Sequence, residues 1–201
     1  MIRALITDFG GVLVRTRTDR SRRSLEERLG LKPGTLEDRV FSSPLSQRAQ
    51  HGAISEEKFW QEIARELDLA HLGLTPQAFR DKFFADDFLD EELMAFIRDV
   101  RPPLKTGLIS NAWSGMRELI HTIVPIADAF DALVISAEEK MMKPDPRIYQ
   151  LALDRLNVRA DEAIFLDDVE VNIDACTALG MHGVHFKSSE QARRDIRALL
   201  A

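Results

Sequence analysis

Cysteine is almost absent from this chain: Cys176 is the only one in 201 residues. That excludes an intramolecular disulfide, and no Cys/His cluster has the spacing of a zinc site. Within a helical pattern beside Ala175, Cys176 reads as buried filler rather than a nucleophile. Basic charge is also in deficit, with 27 Lys and Arg against 33 Asp and Glu and a net charge of -6, which argues against a large nucleic-acid footprint. No apolar run approaches the ~20 residues that cross a bilayer. The first residues carry neither the basic leader nor the small-residue cleavage site of a signal peptide. These absences lead us to expect a cytoplasmic protein without membrane or nucleic-acid partners, as a monomer or homodimer. What remains, 45% hydrophobic and 30% charged residues, is the composition of a soluble globular chain, long enough for one core or a core with a small insert.

The chain is organised around Ile2 to Val14, IRALITDFGGVLV. A continuous apolar run closed by a turn signal reads as a strand buried on both faces, as in a parallel sheet. It ends on Asp8, at the strand end where open α/β sheets place ligands. Gly10 and Gly11 permit positive φ and close approach, so their N–H groups can cradle an anion. A carboxylate beside an anion needs a cation between them.

The segment RTRTDRSRR follows, with five arginines between Arg15 and Arg23, readable as a solvated helix face or as a gatherer of anionic substrate. From about Asp19 to Val100 the patterns are helical, and no strand is expected. Leu25 and Leu29 precede a Gly30 stop; Ser55 caps Glu56 and Glu57; Thr75-Pro76 and Asp90 start two further helices. An all-helical block between strands suggests an inserted subdomain. Further strands are expected at Thr106–Ile109, about Ala132–Ile135, Ala163–Leu166 and Gly183–Phe186, with helices from about Ser114, from Pro146 capped by Asp145, over about Val171–Leu179, and from a Ser188/Gln191 capping box. Strands alternating with helices imply right-handed crossovers and a parallel sheet covered on both faces.

Polar clusters follow successive strands: Asp8, then Ser110-Asn111, then Lys143, then Asp167-Asp168. In a parallel sheet they converge on one edge. Their chemistry suits a phosphate ester. Mg²⁺ takes one or two carboxylates with substrate oxygens and water, and Asp8 and Asp168 are suited to supply them. One carboxylate can attack phosphorus, giving an aspartyl-phosphate. A lysine and a hydroxyl/amide pair would bind the equatorial oxygens, where transition-state charge spreads. Trp113, just beyond Ser110-Asn111, is a candidate pocket wall; Trp60 beside Phe59 reads as core.

In order and spacing these motifs resemble those of the haloacid dehalogenase superfamily: DFGGVL the first, Ser110-Asn111 the second, Lys143 the third, and Asp167-Asp168 with Asn172 the fourth. The resemblance implies an α/β fold, a Rossmann-like parallel sheet flanked by helices with an inserted helical cap, divided as a core of residues 1–15 and 101–201 and a cap of residues 16–100. It implies Asp8 as nucleophile, and Mg²⁺ held by Asp8, the Gly10 carbonyl and Asp168, with Asp167 a ligand or outer partner. Ser110, Asn111 and Lys143 would contact the phosphoryl group, near Gly10 and Gly11. One departure stands out: typical phosphatases of this family carry a second aspartate two positions after the nucleophile as general acid and base, where this chain has Gly10. That form resembles a subgroup that includes α-D-glucose-1-phosphate phosphatases and lies near the phosphatase domain of soluble epoxide hydrolases. The expected activity is Mg²⁺-dependent hydrolysis of a small phosphorylated metabolite, with an unusually acidic leaving oxygen and glucose 1-phosphate as the model case. His51 is a candidate substitute acid. The alternatives are a 2-haloacid dehalogenase, whose first motif has a tyrosine where this chain has Gly10, and a catalytically weak binding or regulatory protein on the same fold.

Overall fold

The computed structural model describes residues 1–201. Five strands form a parallel sheet: β1 (Ala4–Thr7), β4 (Lys105–Ser110), β5 (Ala132–Ile135), β6 (Ala163–Asp167) and β7 (His182–His185), in the order β5-β4-β1-β6-β7. β1 is central, with Thr7 in register with Leu108 on one side and Leu166 on the other. The strands alternate side chains between two apolar layers. Leu5, Leu108, Ile164 and Leu166 face a layer completed by Leu93, Ile97, Ala192 and Ile196. Ala4, Ile6, Ile109 and Phe165 face the opposite layer, with Tyr149, Leu153 and Cys176. Burial on both faces explains why the strands read as unbroken apolar runs.

The local signals account for most helices. Asp145 accepts from Arg147 N, with Pro146 opening the helix Pro146–Leu156. Asp90 accepts from Leu93 N at the start of Glu91–Asp99, and Ser55 and Thr75 cap Glu56–Glu66 and Pro76–Phe83. Ser188 accepts from Gln191 N, while the Gln191 side chain answers one residue early, accepting from Lys187 N.

Four features depart from the sequence reading. Asp87–Leu89 is a strand (β3) paired antiparallel with β2 (Val14–Thr16), Val14 opposite Leu89 and Thr16 opposite Asp87. Two three-residue strands some 70 residues apart carry no detectable period. The ribbon staples together the two ends of the helical segment, and Thr16 Oγ1 donates to Asp87 Oδ1 at 2.7 Å. The helix expected from Ser114 is one turn, Met116–Glu118, continuing as a wider turn over Leu119–Ile123. Arg22 is not on a solvated face: it is 7% exposed, pairs with Glu37 and Asp87, and lies over the Phe83 ring. Finally, the helix Glu91–Asp99 packs Leu93, Met94, Phe96 and Ile97 into the sheet's own core. The helices before it build a separate apolar cluster, from Leu25 to Phe83, around Phe59, Trp60 and Phe79.

Candidate active site

Asp8 sits where β1 ends. Its N–H continues the ladder to Leu166 O at 2.8 Å, and its Oδ1 accepts from Phe9 N at 2.7 Å. The chain then turns through Gly10 and Gly11 to return at Val14. Gly11 has φ +78°, and a Cβ there would lie 2.2 Å from Asp168 Oδ2. The close approach of loop and carboxylate therefore requires glycine on two grounds, conformation and space. Gly10 is different: no atom lies within 4 Å of where its Cβ would be, and its carbonyl receives no backbone hydrogen bond.

Lys143 is buried, with Nζ 2.8 Å from Asp8 Oδ1 and 2.6 Å from Asp167 Oδ2. Asn111 places it: the Asn111 amide donates to Lys143 O at 2.9 Å, and its oxygen accepts from Lys143 N at 2.8 Å. Both ends of that amide are thus engaged with the Lys143 backbone, so Asn111 orients Lys143, while the second hydrogen of its NH2 group is not used in this pairing and Asn111 lines the cavity. Asp167 is fully buried and takes hydrogen bonds from Lys143 Nζ, Val169 N and Asn172 Nδ2. Asn172 O in turn accepts from Tyr149 OH at 3.1 Å. Nothing in the sequence pattern marked Tyr149, because its role is to brace a residue that braces another.

Burial pushes Asp8 up from 3.8 to about 7; the Lys143 charge pulls it back and that of Asp167 raises it further. Burial also works against the charge on Lys143, but Asp8 and Asp167 outweigh it and its pKa rises. Three carboxylates thus compete for one ammonium, since oxygens of Asp8, Asp167 and Asp168 all lie within 4.8 Å of one another. Such an acidic cluster attracts a divalent cation. Asp8 and Asp168 face the adjoining cavity, as do Gly10, Gly11, Ser110, Asn111, Lys143 and Trp113; Asp167 does not. Asp167 carries its hydrogen bonds on the side away from the cavity while remaining in the same cluster of carboxylates.

The cavity measures about 1140 Å³ and lies between the strand ends and the helical segment. That segment contributes Arg22, from the arginine-rich run after β1, together with Phe41, Glu56, Arg80 and Phe84, which the sequence alone did not mark as site residues. His51 is not among the lining residues: it is exposed, with Nδ1 2.9 Å from Gln47 O. Trp60 is core, 4% exposed.

A family model of haloacid dehalogenase-like hydrolases matches residues 2–180. The chain belongs to that family. D-ribitol-5-phosphate phosphatase of Bacteroides thetaiotaomicron is 26% identical, the alignment covering 100% of this chain and 99% of that protein. Bifunctional epoxide hydrolase 2 of Sus scrofa is 28% identical over 97% of this chain, which spans 38% of that protein's length. Among solved structures, a mutant haloacid dehalogenase-family enzyme of B. thetaiotaomicron, in complex with magnesium and inorganic phosphate, superposes with a TM-score of 0.77 at 18% identity, over 93% of this chain and 95% of that one. The parallel sheet with flanking helices is the fold of this family, and the relatives named above include a phosphatase. No helix is long and apolar enough to cross a membrane.

Proposed function

We propose that the chain is a Mg²⁺-dependent phosphatase acting on a phosphate monoester with an acidic leaving oxygen, through an aspartyl-phosphate on Asp8. The observation that carries this is the placement of the Asp8 carboxylate at the cavity floor, 2.8 Å from Lys143 Nζ and beside a second cavity-facing carboxylate, Asp168. The donor set fits the cation: two hard carboxylates and the Gly10 carbonyl are oxygen ligands of the kind Mg²⁺ prefers. When bound, Mg²⁺ would neutralise charge on the phosphoryl oxygens and hold Asp8 ionised.

The chain's own residues supply the rest. Asp8 Oδ attacks phosphorus; the P–O bond to the leaving oxygen breaks and that oxygen departs with the electron pair. Water then attacks the aspartyl-phosphate and releases phosphate with Asp8 restored. Lys143 neutralises the equatorial oxygens, Ser110 donates to them, and the loop presents the Gly10 N–H, that of Gly11 being given to Val14 O at 2.8 Å. Asn111, Asp167 and Asn172 position Lys143. The helices between Arg20 and Phe83 serve as a cap over the cavity. No acid stands at Gly10 to protonate the leaving group. General acid catalysis contributes about 10²–10⁴-fold, so esters of acidic alcohols suffer least: an anomeric sugar phosphate such as glucose 1-phosphate, an acyl phosphate or an aryl phosphate.

Phosphate release from glucose 1-phosphate, glucose 6-phosphate and glycerol phosphate, with Mg²⁺ and with EDTA, on the wild type and Asp8→Asn, tests this reading. Turnover of glucose 1-phosphate ahead of the other two, abolished by EDTA and by the substitution, supports it. Equal or faster turnover of glycerol phosphate removes the leaving-group argument, and activity surviving in Asp8→Asn removes the nucleophile.

A further inference from the structure

The cavity is much larger than a phosphoryl group requires and exceeds the ordinary range of small-ligand pockets, ~300–1,000 Å³. Its wall above the strand ends is aromatic. Trp113 lies between Phe59 and Phe41 in near-parallel succession, centroids 5.0 Å away at 23° and 6.2 Å away at 8°, with Phe84 edge-on at 6.4 Å. Phe41, Phe84 and Trp113 all line the cavity, and Phe41 is 42% exposed, an unusual state for a large apolar ring beside an aromatic cluster. Trp113 is three residues past Ser110, so their Cα atoms are at most ~11 Å apart. A phosphate held beside Ser110 and Lys143 therefore has its ester group within reach of this wall.

The cavity's arginines are already paired: Arg15 with Asp90 at 2.5 Å, Arg22 with Asp87 at 3.0 Å and with Glu37, Arg80 with Glu56 at 3.1 Å. Lys187 is the remaining basic side chain of the lining besides Lys143, and it is exposed at the rim. The Nε groups of Arg15 and Arg80 and the indole Nε1 of Trp113 are buried without a hydrogen-bond partner, so the lining adds three unanswered donors to its rings.

Resting on the phosphatase reading, we propose that the substrate is an aryl phosphate: a phosphate monoester of a phenol or larger aromatic alcohol, whose ring packs against Trp113, Phe41 and Phe84. Two independent observations meet in that class. Aromatic walls favour a flat ring, which pairs with them beyond its mere area. An open space at Gly10 in place of an acid favours a leaving oxygen that departs unprotonated, and a phenol at pKa about 10 leaves far more readily than an alkyl alcohol, whose acidity is near that of water at ~15.7.

The experiment has two arms on the full-length protein. In the first, Mg²⁺-dependent phosphate release is measured for phenyl phosphate, 2-naphthyl phosphate, glucose 1-phosphate and acetyl phosphate, with the wild type, Trp113→Leu and Phe41→Ala. The aryl esters are expected to exceed glucose 1-phosphate in kcat/KM about tenfold or more, and each substitution to raise KM for the aryl esters by roughly 2–12-fold, the span of one aromatic pairing, and more than for acetyl phosphate. In the second arm, naphthylmethylphosphonate and octylphosphonate, which have no leaving group, compete as inhibitors, so that ring recognition is read apart from leaving-group acidity. The naphthyl compound is expected to bind the wild type more tightly. Glucose 1-phosphate equal to the aryl esters, octylphosphonate the tighter inhibitor, or substitutions that affect all substrates alike would each overturn the aryl assignment while leaving a phosphatase. No phosphate from any ester, acetyl phosphate included, overturns the phosphatase reading and this inference with it. Phe41 is partly exposed, so Phe41→Ala keeps the test readable if Trp113→Leu does not fold.

Discussion

Lys143 and Asp167 form a buried ion pair, Nζ to Oδ2 at 2.6 Å, and the same ammonium stands 2.8 Å from Asp8. Asp167 thus holds the lysine from behind while Asp8 faces the cavity. Removing the ammonium leaves two neighbouring carboxylates without their counter-charge, and breaking a buried pair in this way costs about 3–5 kcal/mol. Lys143→Met is expected to lose that order of stability in urea unfolding, along with phosphatase turnover. Lys143→Arg should not restore turnover, because a planar guanidinium cannot serve both carboxylates from the position of one Nζ. A Lys143→Met protein of wild-type stability would show that the pair does not hold the site together.

The pH dependence of stability follows from Asp8. Its folded pKa is raised from 3.8 to about 7, so the folded state keeps a proton that the unfolded chain has released. The resulting stabilisation is fully present below about pH 3.8 and is withdrawn as pH rises to about 7. Asp168 is shifted the same way, by desolvation and by Asp167. In EDTA, this pair should make the protein lose stability between pH 5 and pH 8. A divalent cation binds the ionised carboxylates, so the rise in Tm on adding Mg²⁺ should be larger at pH 8 than at pH 5. Melting curves at both values, with Mg²⁺ and with EDTA, check this; an increment that is equal at the two values contradicts it.

The sheet was legible in the sequence because each strand is buried on both faces and closed by a polar or glycine signal; Ala163–Asp167 is the clearest case. The site was legible for the same reason, since parallel strands deliver Asp8, Ser110 and Asp167 to one edge whatever lies between them. What escaped depends on partners distant in sequence. The three residues of β3 become a strand only opposite Val14–Thr16. Arg22 is buried only because Asp87, Glu37 and the Phe83 ring arrive from other elements. Asn111 also holds the Lys143 backbone through both ends of its amide, a pairing that no spacing reveals.

Gly11 gives a local test of how loop and carboxylate fit. Gly11→Ala would place a methyl 2.2 Å from Asp168 Oδ2 at φ +78°. Strain of this kind costs on the order of 1–3 kcal/mol, and relief by moving Asp168 would displace a proposed cation ligand. The expected result is lower stability together with a higher Mg²⁺ concentration for half-maximal activity. Gly10→Ala, with open space around its Cβ, should change stability by no more than about 0.5 kcal/mol. Equal effects of the two substitutions would mean that the approach of the loop to Asp168 is not tight.

The open space at Gly10 also allows the missing acid to be supplied. Gly10 lines the cavity, has no atom within 4 Å of its Cβ position, and is not among the positive-φ glycines. Gly10→Asp should therefore fold without strain and bring a carboxyl group toward the leaving oxygen. Its benefit depends on how much protonation the leaving group needs. For glycerol phosphate, where an acid is worth most, kcat is expected to rise tenfold or more, toward the ~10²–10⁴-fold that general acid catalysis supplies. For phenyl phosphate, which leaves without help, the gain should be a few-fold at most, and the added negative charge should raise KM for both. The ratio of the two kcat values, wild type against variant, reads the effect free of differences in enzyme concentration. Equal gains for both esters, or none for glycerol phosphate, would show that leaving-group protonation does not limit this enzyme and that Gly10 has no part in its choice of substrate.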